Sequence, residues 1–166
     1  MSKVVIIYDT VSGHTGKMAQ AVAEGVARIP GVEVTVKYVD EATGQDLLEA
    51  EGVIVGSPTH CGLMSWKLKR FFDQNTGKAW GKVGKRIGAA FSTSGGFGGG
   101  NELTLMSILN VLMNYGYLVF GLPDYAASGV TAHYGSVAVG NPDKDDLESC
   151  KILGERMASY VKEIWG

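Results

Sequence analysis

The sequence has little of what most restraints and most polyelectrolyte partners require. Only two cysteines are present, Cys61 and Cys150, far apart and without C-x-x-C spacing, which excludes a disulfide framework and a cysteine-based zinc site. Histidine is limited to three residues and proline to four. The formal charge is −2, with 15 Lys and Arg against 17 Asp and Glu, so the basic footprint of a nucleic-acid binder and the polybasic anchor of a membrane-surface protein are both missing. No apolar run approaches the ~20 residues of a membrane span, and no secretory leader is visible. A cytoplasmic protein with reduced thiols is therefore expected, needing no staple across its 166 residues.

Glycine, by contrast, is abundant, with 24 residues concentrated at 95–100 and at the ends of β-like segments. A glycine-rich backbone can approach a ligand closely or adopt positive φ. Strand-like and helix-like patterns alternate along the whole chain. Residues 4–8 form a continuous apolar run, expected of a strand covered on both faces. Met18, Val22, Val26 and Ile29 then recur at helical spacing until Pro30-Gly31. Further strands are expected at 32–39, 52–57, 85–92 and 117–120, with strand character resuming at 137–140 after an insertion. Helices are expected at 45–50, at 64–73 with Leu68, Phe71 and Phe72 inward, and at 102–116. Asn141 as N-cap and Pro142 as first residue would open the last helix, with an inward stripe of Leu147, Cys150, Leu153, Met157, Val161 and Ile164.

Such alternation implies right-handed crossovers and one α/β domain over residues 1–166. The natural arrangement is a doubly wound parallel sheet of five strands in the order 2-1-3-4-5, between two helical layers. Ligands in such sheets sit beyond the carboxyl ends of the strands, beside the first strand. Three loops of unusual composition would meet there: 10–15, 57–62 and 92–100.

The first loop, in "DTVSGHTGKMA" (9–19), sets the hydroxyls of Thr10, Ser12 and Thr15 around Gly13, where strand yields to helix. Helix N-terminal amides lack intrahelical partners and favour an anion. Either a terminal phosphate or an ordinary hydroxyl cap would explain it. The loop is not a Walker loop, because Val11 and Met18 occupy positions that need a glycine and a hydroxyl; nor does it have dinucleotide-binding G-x-G-x-x-G spacing. In the second loop, "SPTHCG", the backbone of residues 59–62 can face a flat polar heterocycle. The third, "STSGGFGGG", offers Thr93, Ser94 and side-chain-free backbone. A flat ring joined by a polyol to a phosphate monoester, as in FMN, would satisfy all three.

At these residues the chain resembles the flavodoxins. Across nearly its whole length it resembles more closely the flavodoxin-like NAD(P)H:quinone oxidoreductases of the tryptophan-repressor-binding-protein family. The resemblance rests on Thr10-x-Ser12-Gly13-His14-Thr15, Pro58-Thr59-His60-Cys61-Gly62, Phe72-Asp73-Gln74 with Trp80, Asn101-Glu102, and Tyr134-Gly135-Ser136-Val137. It implies FMN held at its phosphate by Thr10, Val11, Ser12, Gly13, His14 and Thr15. It implies ring contacts from Pro58, Thr59, His60, Cys61 and Gly62, and from Thr93, Ser94, Gly95, Gly96, Phe97 and Gly98. Asn114 stands where that family often has the first histidine of His-His-Gly, beside the flavin, and residues 40–50 are too short for its tetramer-supporting insertion. A dimer is then expected over a tetramer.

Two chemistries remain open. One is an enzyme passing a hydride from NAD(P)H to the flavin and two electrons to a quinone, with His133 and Tyr134 lining the open face. The other is a carrier moving electrons between redox protein partners; a flavin-free interaction module accounts for less. Trp66 reads as core. Trp80 is the better candidate to approach the site from a neighbouring subunit, and Met106 and Met113 are core or a dimer face.

Overall fold

The computed structural model describes residues 1–126, 128 and 130–166. Its centre is a parallel sheet ordered β2-β1-β3-β4-β5, with β6 also paired to β4. The strands are β1 (Ser2–Tyr8), β2 (Val32–Tyr38), β3 (Gly52–Pro58), β4 (Ile87–Ser94), β5 (Leu118–Val119) and β6 (Ser136–Val139). The helices are α1 (His14–Ala27), α2 (Gly44–Glu49), α3 (Trp66–Arg70), α4 (Asn101–Tyr115) and α5 (Lys144–Trp165). This is the expected doubly wound order. Apolar runs in β1, β3 and β4 make them central, whereas β2 alternates half-buried and exposed residues, as an edge strand does.

The two faces carry separate cores. On one, α1 and α5 cover Val4, Ile6, Ile54 and Phe91 through Met18, Val22, Leu153 and Met157. On the other, α2, α3 and α4 cover Val5, Ile7, Val53 and Val55 through Leu47, Leu68, Phe71 and Ile108. Each large aliphatic side chain so buried contributes about 1.5–3 kcal/mol. The α1–α5 contact is close because both helices place a glycine at the crossing. A Cβ on Gly25 would lie 1.9 Å from the Lys151 carbonyl oxygen, and one on Gly154 would lie 2.0 Å from that of Val22.

Several local expectations change. The last helix is capped by Asp143, whose carboxylate accepts from the amides of Asp145 and Asp146 at 2.8 and 3.0 Å, while its own amide donates to Asp146. The Asn141 carbonyl instead accepts from the Lys17 ammonium, and Pro142 lies outside the helix. Ile164 is exposed because the stripe outruns the sheet. Met64 and Ser65 precede the third helix, Ser65 capping it, and its end widens into a π-helical turn at Phe71–Asn75. Residues 85 and 86 stay outside β4: Arg86 instead donates to the carbonyls of Leu47 and Ala50. Trp66 is 59 % exposed rather than core, since α3 turns Leu68 inward in its place. Met113 is exposed and Met106 half-buried against the α4 core.

The fifth strand is split. β5 pairs with Ile87 and Gly88 at the start of β4, and β6 pairs with Phe91 to Ser94 at its end.

Candidate functional site

At the carboxyl ends of β1, β3 and β4 the three expected loops form one rim. Two helices begin there without a side-chain cap: α1 behind Gly13 (φ 87°) and α4 behind Gly100 (φ 90°). The longer helix elsewhere, α5, is capped by a carboxylate, and the short α2 and α3 are capped by Thr43 and Ser65. Left-handed backbone of this kind favours glycine. At α1 the first-turn amides carry no acidic neighbour and no capping oxygen, so their partial positive charge is left for a ligand.

The first loop is set from below. Asp9, 3 % exposed, accepts from the Thr10 amide at 2.8 Å and from the Tyr38 hydroxyl at 3.0 Å. Lys67 in turn donates to Tyr38 at 2.7 Å and to Asp40 at 2.9 Å. Those two contacts, Tyr38 first, raise the Lys67 ammonium above its ordinary value. Thr10 accepts the Gly13 amide at 3.0 Å, closing the loop; Val11 and Ser12 face solvent. Thr15 points inward. Its hydroxyl, like that of Thr93, is buried, and the two lie 2.8 Å apart.

The second loop is tied to the third. The Thr59 amide donates to the Thr93 carbonyl at 2.7 Å, and the Thr59 hydroxyl oxygen accepts from Thr104 at 2.8 Å. His60 and Leu63 exchange backbone bonds of 2.8 and 3.0 Å around Cys61 (φ 49°) and Gly62 (φ 85°), a turn with positive φ at both central residues. The tight element of this loop is thus at 60–63, just past Pro58. In the third loop Asn101 accepts from Ser92 at 3.1 Å and donates to Ser94 at 3.1 Å and the Ala138 carbonyl at 3.3 Å. Gly95, Gly96 and Gly98 have open space beyond their Cα atoms, and Phe97 is fully exposed.

These loops suit a phosphate-bearing planar group. They provide an uncapped helix N-terminus, an exposed Ser12 hydroxyl, and two backbone walls fixed against each other. The FMN-type residues Thr10 to Thr15, Pro58 to Gly62 and Thr93 to Gly98 are brought together. Asn114 is not: it lies at the end of α4 in a depression of about 490 Å³ with Phe72, Trp80 and Tyr115. His133 and Tyr134 precede β6, whose Ser136 pairs with Phe91, and they share a small depression with Glu102 and Leu105 in the first turns of α4; His133 contacts Asp124 at 2.9 Å.

The residues that hold the loops in place, Asp9, Tyr38 and Thr104, carry no motif of their own. A small polar residue inside an apolar stretch was the only available signal. Beside the second loop lies an apolar depression of about 740 Å³, lined by His60, Cys61, Met64, Trp66, Lys69 and Arg70 among others. Among the described residues no cluster of His, Cys, Asp and Glu could hold a metal ion, and no helix is long and apolar enough to cross a membrane.

Comparison with known proteins agrees with this geometry. A family model described as Flavodoxin matches residues 6–132. The chain is 54 % identical over 162 residues to a protein named flavodoxin from Aquifex aeolicus (strain VF5), covering 97 % of this chain and 88 % of that one. It is 33 % identical over 195 residues to a protein named NAD(P)H dehydrogenase (quinone) from Archaeoglobus fulgidus, covering 99 % and 100 %. Among solved structures, the "flavodoxin, WrbA-like protein" from Agrobacterium tumefaciens superposes with a TM-score of 0.79 at 26 % identity, covering 98 % and 99 %.

Proposed function

Since this chain belongs to the flavodoxin family, we propose that it is an FMN-binding redox protein working as an electron carrier between protein partners. The observation that carries the FMN reading is the uncapped start of α1 behind Gly13, opening onto the same rim as the two joined loops. The amides of the first α1 turn, with the Thr10 and Ser12 hydroxyls, would hold the phosphate. The backbone of 59–62 and of 93–98 would hold the ring. Bound FMN supplies one- and two-electron redox chemistry, and the chain supplies its position and electrostatic setting. Thr15 with Thr93, and Asp9 with Tyr38, keep the loops at fixed separation, so that little reorganisation accompanies electron transfer.

The carrier reading is supported by the 54 % identity to a protein named flavodoxin. A second reading, two-electron transfer from NAD(P)H to a quinone, is favoured by the likeness to the Archaeoglobus protein and by the apolar depression next to Cys61, large enough for a quinone ring.

Anaerobic reduction separates the two. For a carrier, stepwise photoreduction of the yellow protein gives two separated one-electron stages, and neither NADH nor NADPH bleaches it. Rapid bleaching by a nicotinamide nucleotide, with colour restored by benzoquinone, establishes the enzyme instead. Absence of FMN binding in calorimetry sinks both.

A further inference from the structure

Charge is distributed very unevenly over this nearly neutral molecule. Residues 67–86 hold seven of the 15 Lys and Arg against one acid, Asp73, leaving eight cations and 16 carboxylates for the rest of the chain. Three of the seven are internally engaged at the surface: Lys67 and Arg70 share Asp40, each at 2.9 Å, and Lys69 meets Asp73 at 2.7 Å. Arg86 is committed to the carbonyls at the end of α2. Lys78, Lys82 and Lys85 are exposed, and among the described residues none has a carboxylate partner. Exposed ion pairs such as Lys69–Asp73 are weak, so a partner's carboxylate can compete for them.

The same side of the molecule exposes two tryptophans, Trp66 at 59 % and Trp80 at 55 %. Arg70 stacks over the Trp66 ring at 4.9 Å, and Trp80 meets Tyr115 edge-on at 4.9 Å, so both indoles are held rather than free to reorient. Each borders a depression, and the two depressions share Lys69 and Asp73 as a common wall. They lie side by side, from Thr59, His60 and Cys61 on the rim to Trp80. Rigid aromatics and arginine with surrounding cations are the composition of a protein-docking surface.

We propose that the face between Cys61 and Trp80, carrying Trp66, Lys69, Lys78 and Lys82, is the docking surface for an acidic redox protein. The cations are spread along α3 and the 76–86 loop instead of converging on one point, which suits an extended acidic surface better than a small anion. The start of α5 carries four carboxylates, Asp143, Asp145, Asp146 and Glu148, against Lys144, on the opposite face of the sheet. A membrane or nucleic acid laid across the rim would be repelled on that side. A compact acidic protein would be steered onto the α3 side, with its redox centre toward the second loop. This inference rests on the carrier reading for its biological use, but the binding it describes does not require electron transfer.

The test uses the FMN-loaded protein with two probes of opposite surface charge, cytochrome b5 with its acidic haem edge and cytochrome c with its basic one. Binding is read from quenching of the tryptophans and from amide shift changes, both on the oxidised protein. Electron transfer is read in stopped flow, where each ferric haem takes one electron from the reduced flavin and becomes ferrous. Cytochrome b5 is expected to perturb residues 60–82, and K78E/K82E to slow its reduction about tenfold at low salt, the difference closing at high salt. With cytochrome c, K78E/K82E should not slow the reaction. The proposal is overturned if cytochrome b5 leaves residues 60–82 unshifted, or if the double variant binds it as the parent does. Burial of the tryptophans by self-association, or by vesicles of anionic lipid, in place of the acidic probe also overturns it. If b5 binds at 60–82 but no electron passes to either probe, the docking face stands and the carrier reading fails.

Discussion

The Thr15 hydroxyl lies 2.8 Å from that of Thr93, across 78 residues of sequence, and the pair is shut away from solvent. It joins the start of α1 to the end of β4, so the loop suited to phosphate and the loop suited to the ring share one fixed point. The same Thr93 accepts the Thr59 amide through its carbonyl oxygen. All three loops therefore meet at this threonine.

Replacing Thr15 by valine keeps the volume and leaves the Thr93 hydroxyl buried without its partner. We expect a loss of about 1–2 kcal/mol in unfolding free energy by urea titration, together with weaker FMN binding. Ser12→Ala should weaken FMN binding by calorimetry while leaving stability unchanged, because Ser12 is exposed. The double variant T15V/T93V should recover part of the stability lost by T15V alone; an additive outcome in that cycle would show that the two hydroxyls are not coupled.

Gly13 holds a φ of 87° with open space where a Cβ would stand. Gly13→Ala therefore meets strain without a clash, about 1 kcal/mol, relieved by rotating the first turn of α1. FMN affinity should drop together with stability. Gly31→Ala, at φ 91° and equally open, is the control: stability falls and FMN affinity does not.

The crossing of α1 and α5 tolerates no side chain at Gly25 or Gly154, since the atoms in the way are backbone carbonyl oxygens. Either alanine variant should lower the thermal midpoint by an amount corresponding to at least about 1–3 kcal/mol. An unchanged midpoint in Gly25→Ala would mean that the helices cross elsewhere.

Acid should act on the start of α5. Backbone amides of Asp146 and then Asp145 hold the Asp143 carboxyl below its ordinary 3.8. A depressed folded value stabilises above the unfolded pKa, and that stabilisation is lost as pH falls through the folded one. Asp146 works the other way: burial raises its carboxyl, so its contribution is present at low pH and diminishes as pH rises. Asp143→Asn should flatten the decline in stability below pH about 4. Asp146→Asn should be neutral or stabilising at pH 7. A D143N acid profile identical to that of the parent would remove the cap from this account.

Alternation of apolar runs and helical stripes already contains the sheet order, and the hydroxyl loop after β1 already narrows its role to an anion site or a cap, of which the structure shows no side-chain cap. Local chemistry suffices there, because strand, turn and helix start are fixed by neighbours in sequence. The placement of His133 and Tyr134 is not legible in that way. Their distance from the site depends on the register of β6 against β4, and each step of register moves a side chain by about 3.3 Å. Trp66 likewise looked like core because helical spacing tells which residues share a face, not which face the sheet will cover.

A doubly wound parallel sheet and three loops at its carboxyl edge follow from periodicity, glycine placement and hydroxyl spacing, which are local properties. How those loops are locked, through Asp9 with Tyr38, Thr15 with Thr93, and Asn101 with Ser92 and Ser94, emerges from the folded packing. It alone set Trp66 beside the rim, and Trp80 with its neighbouring lysines by the far end of α4. Contacts between distant residues follow from register and packing, and no short-range pattern records them.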